Sequence, residues 1–508
     1  MKRTSVVALI AGMMLVGLFG QGSRIFGAQH GDFKPFVPNE QVDQTIVSND
    51  DIGVYVFSDV FEERHPSTSN PAQYHLDHPR VAGCAYWLAW EEVEPEEGKF
   101  QWEAFDNMIA AARKVNKRVV LRLVNLELRK NTPAWVYAAG ARHEVRYDRE
   151  GKPSKFPIYW DPVFLEKWGN LIRTFGARYN GNPTVHSVGI TGCGAQEEIH
   201  VVPHMSDPRN MALLEKFKIE HGYTNEKIVQ AWKKVVDVYM EAFPDTRMNM
   251  DVHVPTSPTD QEACRSMDSF YQHLMDTYGM RCVLQRMALG ENKGLSDKAY
   301  HTRIYKKYKD NTQLAYQGVI PGKSANRWKA YEIGLAHQMS FFEVYSSEFS
   351  DSEPASARGR WTLQADLDEQ LTFLARYLGY QVILQEVKLK SDSSVAFQWY
   401  NRGCAPLKRE KRVGKKGEVD SYAVHMKILQ NGSSVYDAVH TPPIATNEWY
   451  ANRTVQYEQK INASLKKGDV YQIRVAVVDP EDHKKAISLV NGLESRKHRI
   501  WQKDVSVE

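Results

Sequence analysis

The fold is decided by the stretch Trp87–Trp102, which reads WLAWEEVEPEEGKFQW. An apolar run ends in Trp87 and Trp90, and the turn that follows is fixed by Pro95 and Gly98. Aromatic residues then lead into an amphipathic segment and are placed to seat that helix on a sheet. The stretch therefore predicts a strand, a turn and a helix in succession, the unit from which alternating α/β folds are built.

Seven further apolar runs alternate with helical stretches between about residue 50 and residue 378. In Glu103–Val115 the apolar residues recur at helical spacing, and Asp366–Leu378 repeats the pattern before Gly379. Eight such repeats fit a (β/α)8 TIM barrel, of fold class α/β, better than an open doubly wound sheet. No glycine-rich loop follows any strand, which argues against a nucleotide site. The predicted strands are Gly53–Phe57, Gly83–Trp90, Arg118–Asn125, Val185–Thr191, Arg247–Val254, Cys282–Leu289, Gln313–Ile320 and Met339–Tyr345.

The pattern changes after residue 379, where short alternating strands are separated by Gly, Pro and Asn. Such strands predict an all-β sandwich domain. We therefore divide the chain into a signal peptide at 1–28, a catalytic barrel at 29–379 and a β-sandwich at 380–508. No low-complexity linker separates the two domains, so we expect them to pack together. The strands of the sandwich include Ser394–Tyr400, Ala423–Leu429, Thr454–Ile461 and Tyr471–Val478.

The amino terminus has the features of a secretory signal. Lys2 and Arg3 precede the uncharged apolar run Val6–Phe19, which is too short to span a bilayer comfortably. No later apolar segment approaches the roughly 20 residues needed to cross a membrane. We therefore expect a secreted or periplasmic protein with no membrane contact once the signal is removed. Five cysteines, an odd number with no zinc-like spacing, argue against a disulfide scaffold or a structural metal.

Composition and charge narrow the class of protein. The 508 residues are 42% hydrophobic and 25% charged, which excludes a disordered, collagen-like or multi-spanning membrane chain. The formal net charge is +3, but residues 381–508 carry 21 Lys and Arg against 15 Asp and Glu. This excess is concentrated in Lys408–Gly417, which reads KREKRVGKKG. Such a run is usually a solvated loop and less often a docking patch for a polyanion.

The segment around Trp87 resembles a known family. Together with Phe105 and Asp106 it matches the pattern W-x-x-x-EP-x-x-G-x-F-x-W/F-x-x-x-D, which follows the second strand in clan A glycoside hydrolases, notably the family 42-type β-galactosidases. Arg118–Leu123 and Thr132–Trp135 are similar to the third strand and to the PPAW that follows it there. The resemblance is strongest over residues 83–200 and implies a barrel that hydrolyses O-glycosyl bonds at the carboxyl ends of its strands.

A second, shorter resemblance lies in the sandwich. The segment Asn401–Pro406 is similar to an N-x-G-x-A-P motif of a β-sandwich domain appended to uncharacterised barrel proteins of this kind. The motif is a turn signature. It implies no chemistry.

The resemblance implies a general acid/base after the fourth strand, where the sequence reads Gln196-Glu197-Glu198-Ile199-His200. Clan A enzymes carry Asn-Glu at this position or, in barrels nearer this one, Gly-Glu followed by an aromatic residue and His. Glu198, two residues before His200, matches the second form, and Glu197 matches the first. We favour Glu198 and keep Glu197 as the alternative. The non-catalytic interpretation is a solvated loop that carries two acids.

The second carboxylate is not where the resemblance implies it. Clan A places the nucleophile on strand seven, where this sequence has Gln317, and an amide cannot form a glycosyl ester. Three interpretations remain. Glu343, an acid in the apolar eighth strand and costly to bury unless paired or used, replaces the missing group. Glu291, after strand six, does so instead. In the third, the barrel binds sugar without cleaving it, or uses the substrate's own amide while Gln317 orients a hydroxyl. Glu343 is our preferred candidate.

Other strand-end residues suit sugar binding by stacking or hydrogen bonding. His200 and His204 lie four residues apart, but no third ligand has suitable spacing, so we expect no metal, and no organic cofactor is implied. The candidate binding residues are Trp87, Trp90, Arg122, Asn125, His200, Asp251, His253, Gln285, Arg286, Glu291, Tyr316 and Gln317.

These observations predict a secreted glycoside hydrolase that cleaves a β-linked, galactose-containing poly- or oligosaccharide by two-carboxylate acid/base chemistry. The basic sandwich and the rim arginines favour an acidic, for example sulfated, galactan. We expect no nucleic-acid partner. The alternative is a non-catalytic secreted carbohydrate-binding protein on a degenerate barrel, for which Gln317 is the argument. A structural cell-surface protein would leave the aromatic and acidic strand ends unexplained.

Overall fold

The computed structural model describes residues 33–57, 74–125, 132–147, 151–194, 199, 201, 208–256, 260–286, 300–318, 324–345, 364–495 and 498–508. The predicted signal peptide lies outside these residues. So do four candidate site residues: Glu197, Glu198, His200 and Glu291.

The described chain alternates strands and helices up to residue 377 and continues with strands. The strands are β1 (Gly53–Phe57), β2 (Val81–Ala89), β3 (Arg118–Val124), β4 (His143–Tyr147), β5 (Pro153–Pro157), β6 (Val185–Gly189), β7 (Met248–Asp251), β8 (Cys282–Arg286), β9 (Leu314–Gln317), β10 (Met339–Tyr345), β11 (Val382–Lys390), β12 (Ser394–Asn401), β13 (Arg409–Val413), β14 (Lys416–Asp420), β15 (Ala423–Gln430), β16 (Ser433–His440), β17 (Thr454–Lys460), β18 (Val470–Val478), β19 (Ala486–Ile487), β20 (Leu493–Ser495) and β21 (His498–Ser506). The helices are α1 (Trp90–Val93), α2 (Glu103–Lys114), α3 (Ala134–Ala138), α4 (Pro162–Tyr179), α5 (Pro208–Glu220), α6 (Asn225–Ala242), α7 (Gln261–Thr277), α8 (Tyr300–Tyr308), α9 (Ser324–Ala336) and α10 (Gln364–Tyr377).

Eight parallel strands close into a barrel in the order β1-β10-β9-β8-β7-β6-β3-β2. The predicted TIM barrel is therefore confirmed, and each predicted strand is present. Strands β6 and β7 end earlier than predicted, at Gly189 and Asp251. Strand ends of this kind form the rim where barrel enzymes place their active sites.

Helices cover the outer face of the barrel. In α2 the predicted apolar face is buried, through Phe105, Met108, Ile109 and Ala112. Helix α10 ends before Gly379, whose φ of +63° lies in the left-handed region and whose missing Cβ leaves room for Ile52. Among the helices that the structure describes, none is long and apolar enough to cross a membrane.

A hairpin interrupts the barrel repeat between β3 and α4, and the sequence analysis did not predict it. Strands β4 and β5 pair in antiparallel fashion. Glu144 on β4 binds Lys216 at 2.7 Å, which ties the hairpin to α5. Tyr147 reinforces the link, because its backbone amide donates to Asn210 at 2.9 Å. The hairpin therefore packs beside the helix that follows barrel strand β6.

The carboxyl-terminal region is the predicted β-sandwich. A three-stranded antiparallel sheet, β11-β12-β17, faces a larger antiparallel sheet that contains β16, β15, β18, β21 and β20 in that order, with β19 paired to β18. Side chains from both sheets share one buried core that includes Trp399 and Trp449. No disulfide joins the five cysteines, all of which lie in the described part of the chain.

The basic run Lys408–Gly417 belongs to a β-hairpin, so the predicted loop is wrong, although residues 411–415 are exposed to solvent as predicted. It forms much of the hairpin β13–β14, which docks on the loops before β7 and β8. Lys408 is buried and donates to Thr312 O at 2.9 Å. Met280 N donates to Gly417 O at 2.7 Å. Within the run, Lys408 and Arg412 donate to backbone carbonyl groups of the barrel.

The segment Asn401–Pro406 is the tight turn that the sequence predicted. Both polar atoms of the Asn401 side-chain amide are used. Its Oδ1 accepts from Gln381 N and Gly403 N. Its Nδ2 donates to Ala405 O and Trp449 O. A Cβ on Gly403 would lie 2.3 Å from Gly379 O, so only glycine fits. The turn therefore packs the sandwich against the carboxyl end of α10, the last barrel helix.

Candidate active site

The barrel interior combines apolar walls with a polar group. Alternation along the strands turns Val120 and Val124 inward on β3 and Val283 inward on β8. The remaining members of this apolar cluster are Tyr55, Phe57, Ala85, Trp87, Ala89, Ala315 and Phe341. The polar group, called the central polar cluster below, consists of Arg122, Asn249, Gln285 and Glu343.

Arg122 and Glu343 form an ion pair across the barrel. Arg122 on β3 donates from Nη2 to Glu343 Oε1 on β10 at 2.6 Å, and both side chains are 0% exposed. Replacing a buried ion pair with apolar residues is often neutral or stabilising, so such a pair is poor evidence of a role in stability. Glu343 Oε2 is also buried and has no hydrogen-bond partner among the described residues. One carboxylate oxygen is thus anchored and the other is left for a ligand.

Gln285 extends the cluster to the other side of the barrel. Its Oε1 accepts from Arg122 Nη2 at 3.1 Å and from Asn249 Nδ2 at 2.8 Å. Strands β3, β7, β8 and β10 are therefore linked by side chains through one guanidinium nitrogen and one amide oxygen. This connection fixes the rotamers of all four residues of the central polar cluster.

Gly189, the last residue of β6, leaves the space that the cluster occupies. A Cβ at this position would lie 2.7 Å from Arg122 Cγ and 3.0 Å from Asn249 Oδ1. Real Cβ atoms do not come this close to other heavy atoms, so any larger residue would displace the arginine. The glycine is needed here for the close approach of side chains from both neighbouring strands.

Aromatic rings surround the cluster. The Arg122 guanidinium lies 5.7 Å from the centre of the Phe57 ring, and Phe57 stacks on Trp87 at 6.1 Å. His186 lies between Tyr55 and Phe341, at 4.8 and 5.0 Å. Burial holds the pKa of His186 well below its ordinary value, aided by repulsion from Arg247 and Arg118. This histidine is therefore neutral and adds no charge to the interior.

Three further candidates meet at the ends of β7 and β8. Asp251 Oδ2 lies 3.4 Å from His253 Nδ1, and Asp251 Oδ1 lies 3.9 Å from Arg286 Nη1. Asp251 and His253 are buried, and Arg286 is partly exposed. All three were predicted as strand-end residues suited to sugar binding, and the structure brings them together.

Asn125 and Gln317 lie at the ends of two other strands. Asn125 follows β3, and neither of its buried amide atoms has a hydrogen-bond partner in the described part of the chain. Gln317 ends β9 and lies beside Glu343 in the strand register. Gly318 N donates to Glu343 O at 2.5 Å, which fixes this register next to the acid. Gln317, which stands where the resemblance implies the nucleophile, is therefore adjacent to the carboxylate that we favour.

Trp90 and Tyr316 are not brought to the centre of the barrel. Trp90 begins α1 and packs outside the sheet against Trp135 and Trp168, at 5.8 and 5.1 Å. Tyr316 alternates with the inward Ala315, so its ring lies on the outer face of β9, where the hydroxyl pairs with His337 Nδ1. Burial raises the pKa of Tyr316 well above its ordinary value. Neither ring is placed to stack on or hydrogen-bond a sugar at the central polar cluster.

The motif Trp87–Trp102 is mainly structural in its second half. Glu94 accepts from Trp90 Nε1 at 2.9 Å and from Gly98 N at 2.8 Å, while its carbonyl accepts from Trp135 Nε1 at 3.0 Å. Burial raises the pKa of this carboxyl above its ordinary value. The glutamate of the EP pair therefore holds a turn and two indoles in place, and reaches none of the residues of the central polar cluster in the described contacts.

One group of described side chains has the geometry of a metal site. Glu144, Glu220 and His221 offer ligand atoms that lie within 4.8 Å of one another. The ammonium of Lys216 already binds Glu144 at 2.7 Å and Glu220 at 3.8 Å, and His221 pairs with Glu144 at 2.8 Å. The Lys216 ammonium therefore offsets part of the negative charge of the two carboxylates.

Sequence reasoning missed Asn249 and Gly189. Asn249 lies two residues before Asp251 on the same strand, and period-two alternation would have placed both on one face. Gly189 was read only as part of the strand end. Its role depends on Arg122, which lies 67 positions earlier and is brought close by the pairing of β3 with β6.

Comparison with known families agrees with the expected resemblance. A family model described as beta-galactosidase, of glycoside hydrolase family 42, matches residues 79–233. This span contains β2, β3 and β6, and with them Arg122 and Gly189. No curated protein matches the chain.

Solved structures with a similar course of the chain include three glycosidases. The catalytic domain of β-amylase from Paenibacillus polymyxa has 10% identity and a TM-score of 0.45, with 64% of this chain and 98% of that chain covered. A GH42 β-galactosidase from G. stearothermophilus has 13% identity and a TM-score of 0.39, with 66% and 57% covered. Endo-glycoceramidase II from Rhodococcus sp. has 12% identity and a TM-score of 0.40, with 82% and 99% covered. At these values the likenesses carry no argument about substrate.

The closed barrel, the acid at its centre and the family match all agree with a glycoside hydrolase. The match covers the motif that follows β2 and the strand that carries Arg122. The expected resemblance to clan A glycoside hydrolases is confirmed over residues 79–233, which match the family 42 model described as beta-galactosidase and hold three of the eight barrel strands.

Proposed function

We propose that this glycoside hydrolase is exported and cleaves a β-linked, galactose-containing poly- or oligosaccharide by two-carboxylate chemistry. The observation that carries the proposal is the buried Arg122–Glu343 pair. One oxygen of Glu343 is anchored at 2.6 Å, and the other has no partner among the described residues. A buried carboxylate with one oxygen left over is the arrangement expected of a group that meets a ligand.

Glu343 would act as the nucleophile or as the anion that stabilises an oxocarbenium ion. The guanidinium of Arg122 anchors one carboxylate oxygen of Glu343, which fixes the orientation of the side chain that either role needs. A proton donor must lie on the other side of the scissile bond, about 5–5.5 Å from the nucleophile in a retaining enzyme. We assign that role to Glu198, with Glu197 as the alternative. Glu291 remains the alternative to Glu343.

The test is a panel of aryl glycosides and of plant and algal galactans, assayed for released sugar. We expect Glu343→Gln and Glu198→Gln each to lower kcat by at least about 100-fold, because each removes an acid or base needed in the transition state. Glu197→Gln is the matched control and should retain activity. The reverse result for the two neighbours would transfer the acid/base role to Glu197. Full activity in Glu343→Gln would show that Glu343 is not the second carboxylate, and Glu291→Gln would then be assayed in its place.

Small nucleophiles distinguish the two carboxylate roles. If Glu343 is the nucleophile, azide should restore activity to Glu343→Ala and give a glycosyl azide of inverted configuration. Azide with Glu198→Ala should instead give a product of retained configuration. An inverted product from the Glu198 variant would contradict the assignment.

An acidic galactan is the finer part of the proposal. Arg286 at the rim supports it, but Asp251 at 3.9 Å already balances part of that charge. In the sandwich, Arg409 is paired with Asp420, Asp479 and Glu481. We expect tighter binding of a sulfated galactan than of its desulfated form at low salt. Equal binding that does not respond to salt would exclude sulfate recognition.

The second candidate is a carbohydrate-binding protein that does not cleave its ligand. Gln317 favours it, since an amide stands where the family has its nucleophile. Calorimetry and the activity assay separate the two candidates. Galactan binding without release of sugar, and without any change in Glu343→Gln, would favour the non-catalytic role. Export is tested by fractionating cells that express the full chain and locating the protein outside the cytoplasm.

A further inference from the structure

The orientation of the Gln285 side-chain amide is fixed by its neighbours. Its Oε1 accepts two hydrogen bonds, from Arg122 Nη2 at 3.1 Å and from Asn249 Nδ2 at 2.8 Å. The reverse orientation would set the Gln285 NH2 group against two other N–H donors. Arginine has no acceptor atom, so it cannot adapt to a flipped amide. Gln285 therefore presents Nε2, and not oxygen, to the remaining space around it.

That nitrogen is a donor without an acceptor. Gln285 is 1% exposed, and Nε2 has no hydrogen-bond partner among the residues that the structure describes. Leaving a buried polar group unpaired costs about 1–3 kcal/mol, so native proteins keep few such groups. The same cost makes an unpaired buried donor effective in selecting a ligand that can accept from it.

The free donor of Gln285 and the free acceptor of Glu343 belong to side chains held by the same arginine. Arg122 Nη2 holds Glu343 Oε1 at 2.6 Å and Gln285 Oε1 at 3.1 Å, so both side chains are anchored on the same nitrogen atom. Their unused atoms, Glu343 Oε2 and Gln285 Nε2, are each bonded to the carbon that carries the anchored oxygen. The hydroxyls of a sugar ring suit both atoms, because a hydroxyl can accept from the amide and can donate to the carboxylate.

We infer that Gln285 is a specificity-determining residue, which donates from Nε2 to one hydroxyl oxygen of the sugar ring bound against Glu343. The inference rests on the proposed function, since it assumes a hydroxylated ring at this site. Asn249 acts through Gln285 as a positioning residue, because its hydrogen bond helps to fix the amide. The ligand class is a pyranoside whose ring carries a free hydroxyl at the position that meets Gln285.

The test compares Gln285→Leu with the wild type on a series of glycosides that each lack one ring hydroxyl. The series is built on whichever glycoside of the panel the wild type binds or hydrolyses best. For one member, we expect the wild type to lose at least tenfold in kcat/KM relative to the parent compound. In Gln285→Leu, the same comparison should give less than a threefold difference. Where hydrolysis is too slow to measure, dissociation constants replace kcat/KM.

A role limited to holding Arg122 predicts a different result. Gln285→Leu would then lower kcat/KM by the same factor for the parent and for every deoxy analogue, and this outcome overturns the inference. Gln285→Glu keeps the acceptor for Arg122 and Asn249 but removes the donor, so it should reproduce the loss of discrimination even if the leucine variant folds poorly.

The matched control is Gln313→Leu. Gln313 is also buried but lies at the other end of the barrel, where it donates to Asp51 at 2.6 Å. It should leave the discrimination between parent and deoxy analogue unchanged. A wild type that binds no glycoside of the panel refutes the proposed function and this inference together. If the wild type binds a glycoside but Gln285→Leu discriminates between parent and deoxy analogues as well as the wild type does, this inference alone is refuted.

Discussion

The barrel centre and the junction between the domains both bury an arginine, and they hold it in different ways. At the junction, Arg281 donates to three backbone carbonyls, those of Met240, Phe243 and Lys415, at 2.9–3.1 Å. At the centre, Arg122 binds the side chains of Glu343 and Gln285. Backbone carbonyls are already fixed and bring no further chemistry. Each side chain brings a second polar atom, and in Glu343 and Gln285 this second atom is available to a ligand.

This contrast separates a polar network that holds the fold from one that holds a site. The junction network connects the hairpin β13–β14 to the barrel, so its loss should lower stability and spare activity. The central polar cluster should behave in the opposite way, since its retention is hard to explain by stability alone. Each prediction below tests one side of this comparison.

Removal of the charge of Arg122 should have the largest effect. Arg122→Met leaves Glu343 buried without a counterion, so we expect a loss of about 3–5 kcal/mol in the free energy of unfolding. Activity should fall on the order of 10³-fold, because the anchored carboxylate is lost. The double variant Arg122→Met/Glu343→Leu should recover much of the stability and none of the activity. Urea unfolding and kcat/KM measure both; recovered activity in the double variant would refute the role of the pair.

Filling the space at Gly189 should have the next largest effect. In Gly189→Ala the new methyl would lie 2.7 Å from Arg122 Cγ, so the arginine must move. We expect a cost of about 1–3 kcal/mol from overpacking and a disproportionate loss of activity. Gly169→Ala on α4 is the control, since the nearest atom to its Cβ is the flexible end of Arg173 at 3.4 Å. Normal activity in a folded Gly189→Ala protein would contradict this account of the site.

Glu94 should matter for stability and not for catalysis. Its two oxygens accept from Trp90 Nε1 and Gly98 N, so Glu94→Gln places an NH2 group against one donor and should cost about 1–2 kcal/mol. Activity per folded molecule should stay near that of the wild type. Burial raises the pKa of Glu94, so the stability from this group is present at acidic pH and is lost as pH rises through the raised pKa. The difference between Glu94→Gln and wild type should therefore change with pH between acidic and neutral conditions.

Lys408 gives the smallest effect and tests the junction. Burial lowers the pKa of its ammonium to about 8, below that of the unfolded chain. Between these two values the unfolded state binds the proton and the folded state does not, so the free energy of unfolding rises with pH above about 8. Lys408→Met should lack this rise, while the exposed Lys411→Met should keep it. If the free energy of unfolding changes with pH in the same way for wild type and Lys408→Met, the lowered pKa of Lys408 is refuted.

Much of the barrel follows from sequence pattern alone. The eight apolar runs predicted the eight strands, because a parallel strand is buried on both faces and its hydrophobic run is continuous. The acid in the apolar eighth strand was recognised as a candidate for the same reason, since an isolated carboxylate is costly there. The β4–β5 hairpin was missed because it lies in a long connection, and the basic hairpin was misread because charge alone does not reveal a docked partner.

The sequence by itself determined which residues form strands and which unusual residues lie in them. The tertiary structure decided which of those residues meet. Arg122 and Glu343 are 221 positions apart and pair only because the barrel closes. Trp90 and Tyr316 lie at strand ends yet face away, since the last paired residue and the alternation set the direction of each side chain. Periodicity is local along the chain, whereas contact across a barrel depends on closure and register, and these are properties of the whole sheet.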